Sequence, residues 1–62
     1  SDETSLRVII QEALSAHPNQ VAAYRKGKTN LAAFFVGKVM QATHGQANPQ
    51  LANALVKELL EQ

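Results

Sequence analysis

The chain has 62 residues, no cysteine and a formal net charge of +1, with six Lys and Arg residues against five Asp and Glu residues. This length allows one small domain, and the lack of cysteine excludes disulfides, thiolate nucleophiles and cysteine-ligated zinc. The longest apolar run, residues 31–36, falls short of the roughly 20 residues of a membrane helix, and no signal-peptide pattern is present. We therefore expect a cytoplasmic protein without a membrane partner.

A first amphipathic helix is predicted from about Asp2 to Ala16. Either Ser1 or Asp2 is expected to cap its first turn, because a side-chain oxygen there accepts hydrogen bonds from unpaired backbone N–H groups. Val8 lies off the apolar stripe, which predicts an exposed valine. The expected buried stripe consists of Leu6, Ile9, Ile10, Ala13 and Leu14.

A short second helix is predicted to begin at Pro18, since proline suits the first helical position and disfavours helix at the preceding residue. We expect it to end at Gly27 in a left-handed C-cap. Arg25 and Lys26 fall in its last turn. Two interpretations stay open for these two side chains, namely interaction with the helix end and contact with a ligand.

The third helix is predicted to begin at Thr29 or Asn30 and to end at Gly45. Gly37 falls in its interior, where glycine costs about 1 kcal/mol relative to alanine. We expect a close approach to compensate that cost, either by another helix or by the backbone of a ligand. The expected apolar face consists of Ala32, Phe35, Val36, Val39 and Met40.

The fourth helix has the clearest start, with Asn48 as N-cap and Pro49 as first helical residue. No segment shows the alternation of apolar and polar residues that indicates a strand. We therefore predict an all-α fold, a small bundle of three helices plus one short helix, forming a single domain over residues 1–62. The buried stripe of the last helix should consist of Leu51, Ala52, Leu55, Val56 and Leu59.

Catalysis is not expected of this chain. His17 and His44 fall at opposite helix ends, and no pair of carboxylates is spaced to share one helix face. Two histidines without a nearby carboxylate or thiolate make a poor metal site, and a histidine at a helix C-terminus commonly interacts with the last carbonyl groups. We predict no catalytic residue, no metal, no cofactor and no small-molecule substrate.

Anion binding is the more plausible chemistry, and the segment from Arg25 to Asn30 is the first candidate for it. Its basic side chains precede the N-terminus of the third helix, where unpaired N–H groups attract anions. The polar turn over residues 43–48 is a second candidate. A solvated loop is the alternative for the first segment, and composition alone favours it. A capped helix connection is the alternative for the second, and it explains most of its residues.

The order of several segments resembles the GatB/YqeY domain, the C-terminal tail module of the B subunit of aspartyl/glutamyl-tRNA amidotransferases, which is also fused to some bacterial glutaminyl-tRNA synthetases. The resemblance covers essentially the whole chain. It implies a C-terminal fragment of a larger ligase that is not an enzyme by itself. The segments are Ser1-Asp2-Glu3, Val21-Ala22-Ala23-Tyr24-Arg25-Lys26-Gly27-Lys28, Phe35-Val36-Gly37-Lys38-Val39-Met40 and Thr43-His44-Gly45-Gln46-Ala47-Asn48-Pro49.

The resemblance further implies a domain that grips the outer corner of tRNA while other domains transamidate misacylated Glu-tRNA(Gln) or Asp-tRNA(Asn), or aminoacylate tRNA. Recognition there would rely on shape, phosphates and 2′-hydroxyl groups. The family commonly has lysine at positions 44 and 46, and here His44 and Gln46 replace both. The implied contact residues are Arg25, Lys26, Lys28, Lys38, His44, Gln46 and Asn48.

Two alternatives to tRNA binding remain. A docking module for other domains or subunits of the parent protein would expose an apolar patch around Phe34 and scatter the basic side chains. A packed appendage that stabilises its parent is the third interpretation. Convergence of Arg25, Lys26, Lys28 and Lys38 on one exposed face would favour tRNA.

Overall fold

Four helices make up the computed structural model, which describes residues 2–62. They are α1 (Asp2–Ala16), α2 (Pro18–Arg25), α3 (Leu31–Ala42) and α4 (Pro49–Leu60). The all-α prediction is confirmed, and no strand occurs in this part of the chain. The capping role predicted for Ser1 or the Asp2 side chain lies outside the described residues. None of the four helices has the length and apolar character needed to cross a bilayer.

The core forms where all four helices meet, since each of them contacts the other three. The predicted apolar stripes of α1 and α4 are confirmed, because their members are buried or pack against the buried cluster. Val8 is 55% exposed, as predicted. The largest side chains that are fully buried are Phe35, Ile10, Leu60, Val39 and Val56.

The C-terminus of α2 is closed by Gly27, as the sequence predicts. Gly27 has a φ of +118°, its N–H donates to the Tyr24 carbonyl at 2.9 Å, and the Lys28 N–H donates to the Ala23 carbonyl at 3.0 Å. These two bonds form a Schellman motif, which satisfies carbonyls that the helix end leaves unpaired. The turn into α3 is therefore set by local backbone chemistry.

The predicted C-terminus of α3 is wrong. The helix begins at Leu31 with Asn30 as its N-cap, within one residue of the expected start, but its C-cap is Thr43, before the expected stop at Gly45. His44 has a φ of +54° and Gly45 a φ of +76°, so both are left-handed. The His44 N–H donates to the Gln41 carbonyl and the Gly45 N–H to the Met40 carbonyl, a Schellman motif in which His44 is the first residue after the cap.

The predicted close approach to Gly37 by another helix is also wrong. Gly37 is exposed, and a Cβ at this position would meet no other part of the structure within 4 Å. Met40, which we placed on the main apolar face, is only half-buried and is absent from the core. The face of α3 that enters the core is therefore narrower than predicted only at Met40, since Ala32, Phe35 and Val39 are buried and Val36 packs against the core from a half-buried position.

An ion-pair network joins α1 to α4 on the surface. The Arg7 guanidinium lies 2.7 Å from Glu58 and 3.1 Å from Glu3. Hydrogen bonds and charge attraction from both carboxylates raise the Arg7 pKa, and the bond from Arg7 lowers the pKa of Glu58. The pairs are partly exposed, so each contributes little free energy of folding.

A second set of bonds joins the end of α2 to the end of α4. The buried Tyr24 hydroxyl donates to the Glu61 carboxylate at 2.8 Å, and this bond, followed by burial, raises the Tyr24 pKa. Arg25 Nε donates to the Leu60 carbonyl at 3.0 Å. The Leu60 carbonyl at the end of α4 thus receives a donor from α2, a tertiary form of helix capping, and the Tyr24 bond ties the Glu61 side chain to the same helix.

Candidate nucleic-acid interface

The turn between α2 and α3 exposes two of the predicted contact residues. Lys26 and Lys28 flank Gly27, both are exposed, and neither forms an ion pair or side-chain hydrogen bond within residues 2–62. Arg25 is also exposed, but its Nε donates to the Leu60 carbonyl, which holds the guanidinium at the end of α4 without neutralising its charge. The two lysines are not held by such a bond, and the charges of all three side chains are available to an anion.

The backbone at the start of α3 is less available to an anion than we predicted. The N–H groups of Leu31, Ala32 and Ala33 already donate to the carbonyls of residues 28–30, each at 3.1 Å. These bonds span three residues and tighten the first turn in the manner of a 3₁₀-helix. Any attraction for phosphate at this turn must therefore come mainly from the lysine side chains.

Lys38 is the third predicted contact, and it lies on an aromatic ring. Its Nζ is 5.4 Å from the centroid of the Phe34 ring, within the range of a cation–π interaction. The ring of His17 meets Phe34 edge to face at 5.2 Å, whereas we expected His17 to interact with helix carbonyls. The pairing of Phe34 and Lys38 was missed, although their spacing of four residues places them side by side on a helix.

The turn over residues 43–48 is stabilised by side-chain hydrogen bonds of its own residues. The Thr43 hydroxyl donates to the Val39 carbonyl at 3.0 Å and accepts the Ala47 N–H at 3.2 Å. Asn48 Oδ1 accepts the Leu51 N–H at 3.1 Å, which confirms the predicted N-cap. Thr43 and Asn48 therefore have structural roles, even though Asn48 was also a predicted contact.

His44 and Gln46 remain as the unengaged side chains of this turn. Both are exposed, and neither forms a side-chain hydrogen bond with another described residue. The turn therefore exposes two polar side chains on a backbone that hydrogen bonds hold in place. Such an arrangement suits contact with a ligand surface. Gln46 also lines a groove between the turn and α1, where Ser5 lies on the opposite wall and the apolar floor includes Ile9 and Leu51.

The predicted residues are strung along α3 and do not meet at one point. Lys26 and Lys28 precede its first residue, Lys38 lies within it, and His44 and Gln46 follow its last residue. Its 12 residues correspond to about 18 Å of helix axis. Such spacing matches an extended polyanion better than a single phosphate.

Most acidic side chains lie apart from this string of residues. Neither Asp nor Glu occurs between Glu12 and Glu58. Glu3 and Glu58 bind Arg7, and Glu12 lines the outer surface of α1. Glu61 accepts from Tyr24 and lines a groove with Gly27 and Thr29, so one carboxylate does lie near the turn before α3. Three of the six basic residues, Lys26, Lys28 and Lys38, lie on α3 or in that turn. Within residues 2–62 no three His, Asp or Glu side chains come close enough to hold a metal ion.

We expect that replacing His44 by glycine will stabilise the fold. A left-handed φ costs a residue with a Cβ about 1–2 kcal/mol. Glycine avoids this cost, but it loses more backbone entropy on folding, which offsets roughly half of the gain. The free energy of unfolding should rise by about 0.5–1 kcal/mol, measured by urea unfolding followed by circular dichroism. His44→Ala is the matched control, because alanine keeps the Cβ and should bring no gain. Equal stability for the glycine and alanine variants would contradict backbone strain at this position.

Comparison with known proteins identifies the family. The family model described as the GatB domain matches residues 1–60. The aspartyl/glutamyl-tRNA(Asn/Gln) amidotransferase B subunit from Persephonella marina is 49% identical over 98% of the chain and 13% of its own length. The corresponding proteins from Trichodesmium erythraeum and Prochlorococcus marinus are 49% and 50% identical over 98% and 97% of the chain.

In these last two relatives the match covers 12% of the longer protein, so the chain spans only a small part of the curated proteins that it resembles. No solved structure matches it. The family model and the relatives agree over nearly the whole chain with the resemblance seen in its motifs. The chain therefore belongs to the GatB/YqeY domain family.

Proposed function

We propose that this chain is a tRNA-binding tail domain, which helps to hold tRNA while catalytic domains of a longer amidotransferase act on the aminoacyl end. The observation that carries the proposal is the string of polar and basic side chains on α3 and its flanking turns, from Lys26 to Gln46, none of which forms an ion pair with another described residue and among which no acidic residue occurs. The names of the related proteins refer to aspartyl- and glutamyl-tRNA. For this reason we propose tRNA, and not another nucleic acid, as the ligand.

Shape and backbone recognition is the mode that these side chains support. Lysines contact phosphates without reading sequence, and a neutral histidine or a glutamine can hydrogen-bond to a 2′-hydroxyl group. With only three lysines along α3 and its flanking turns, the affinity of the domain itself should be modest. The rest of the parent protein would raise it, because contacts on linked domains act together.

Protein docking is the second candidate, and one observation favours it. Val8 is the only large hydrophobic side chain exposed in residues 2–62, and it lies on the outer surface of α1 beside Gln11 and Glu12. Docking on α1 is compatible with tRNA binding along α3, since the two surfaces belong to different helices. A tail domain that contacts its parent through α1 would leave α3 available to the RNA.

A titration of the ¹⁵N-labelled chain with unfractionated tRNA at two salt concentrations tests the proposal. We expect amide shifts at residues 26–28, at Lys38 and at residues 44–46, which should weaken at the higher salt because phosphate contacts release counterions. Shifts confined to the Val8 surface, or no shifts at the lower salt, would contradict tRNA binding by these residues.

A further inference from the structure

Gly37 has no role within the fold that accounts for it. It lies in the interior of α3, is exposed, and has open space where a Cβ would be. Its φ is not positive, unlike that of Gly27 and Gly45, so alanine could replace it without backbone strain. Glycine in a helix interior is less stable than alanine, and nothing inside this structure compensates for that.

The surroundings of Gly37 on α3 combine half-buried apolar side chains with an amide and a cation. Residues three or four apart on a helix are neighbours, which places Ala33 and Phe34 before it and Met40 and Gln41 after it. Ala33 and Gln41 are exposed, and Phe34 and Met40 are half-buried, with Lys38 Nζ over the Phe34 ring. The helix backbone is thus accessible at Gly37, between a cation held on an aromatic ring and an exposed amide.

This surface offers little to a protein partner. Protein interfaces are anchored by exposed aromatic or aliphatic side chains, but the Phe34 ring is already engaged by His17, Phe35 and Lys38. Val8, the exposed hydrophobic residue of the described chain, is on α1. Positive charge without an apolar anchor, on a helix without acidic residues, is complementary to a polyanion.

We propose that Gly37 is the point of closest approach between α3 and an RNA strand. The missing side chain lets the sugar–phosphate backbone lie against the helix, where Lys38 can neutralise a phosphate and the Gln41 amide can donate to a phosphate oxygen or a 2′-hydroxyl group. Lys38 then binds RNA from a position fixed by the Phe34 ring. The inference rests on the proposed tRNA-binding function and assigns the centre of its contact surface.

Substitutions at Gly37 separate this contact from effects on folding. Gly37→Ala and Gly37→Gln should both raise the melting temperature, because both residues favour helix over glycine. Binding of unfractionated tRNA, followed by fluorescence anisotropy at low salt, should weaken modestly for alanine and by about tenfold for glutamine, the effect of 1.4 kcal/mol. Ala54→Gln, at an exposed position of α4, is the matched control and should leave binding unchanged.

Each alternative outcome has a defined meaning. If the wild-type chain binds tRNA but Gly37→Gln binds equally well, the close approach is refuted and the tRNA-binding function stands. If the wild-type chain does not bind tRNA at low salt, both proposals fail together. If Gly37→Gln instead abolishes self-association detected by sedimentation, the surface is an interface between two copies of the chain, and the RNA contact is refuted.

Discussion

Replacement of Phe35 by alanine is expected to cost more stability than any other single truncation in the core. Phe35 has no exposed surface and is the largest fully buried side chain. A buried Phe→Ala change costs about 3–5 kcal/mol, from lost transfer free energy and the remaining cavity. At the usual ~0.05–0.15 kcal/mol per residue, a domain of 62 residues has a total stability of roughly 3–9 kcal/mol, so the loss is a large share of the total. Urea unfolding followed by circular dichroism measures the effect.

The neighbouring Phe34→Ala variant is the control for this experiment, because it deletes the same group from a half-buried position. It should cost only about 1–2 kcal/mol, since part of the ring is already in water and the aromatic contacts are modest. If both variants lost the same free energy of unfolding, Phe34 would be as important to the core as Phe35. The boundary of the core would then not lie between these two residues.

Helix boundaries were predictable where the determinant is local. Pro18, Gly27 and the Asn48-Pro49 pair each act on their own backbone or within a few residues of it, and the structure has the helix ends where they imply. The end of α3 was predicted wrongly for an equally local reason. We took Gly45 as the stop, although histidine is one of the residues that tolerate a positive φ, and the left-handed backbone already begins at His44.

Tertiary contacts account for what the sequence could not reveal about the candidate site. The bond from Arg25 to the Leu60 carbonyl joins residues 35 positions apart, so no local pattern could predict that Arg25 is held at the end of α4. The exposure of Gly37 depends likewise on where the other helices lie. Residue chemistry indicated the two candidate segments, 25–30 and 43–48, and the family resemblance added Lys38 and the tRNA ligand. Which of them contact RNA stays a prediction.

Removal of Lys26, Lys28 and Lys38 together is expected to weaken tRNA binding by on the order of tenfold to a hundredfold at low salt, and each lysine that contacts a phosphate should reduce the salt slope by about 1. None of the three has a carboxylate partner in the described structure, so their alanine variants should keep the fold. Thermal unfolding checks the fold, and anisotropy titrations over a range of salt concentrations give the slope.

Lys57→Ala is the charge-matched control for the single variants, because Lys57 is exposed near the end of α4, away from the α3 surface. If lysine position matters, Lys28→Ala should reduce both affinity and slope more than Lys57→Ala does. Equal reductions would mean that tRNA responds only to net charge, and the assignment of α3 and its turns as the interface would be wrong. Lys38→Ala should exceed Lys28→Ala, because the Phe34 ring holds the Lys38 ammonium in place and less side-chain freedom is lost on binding.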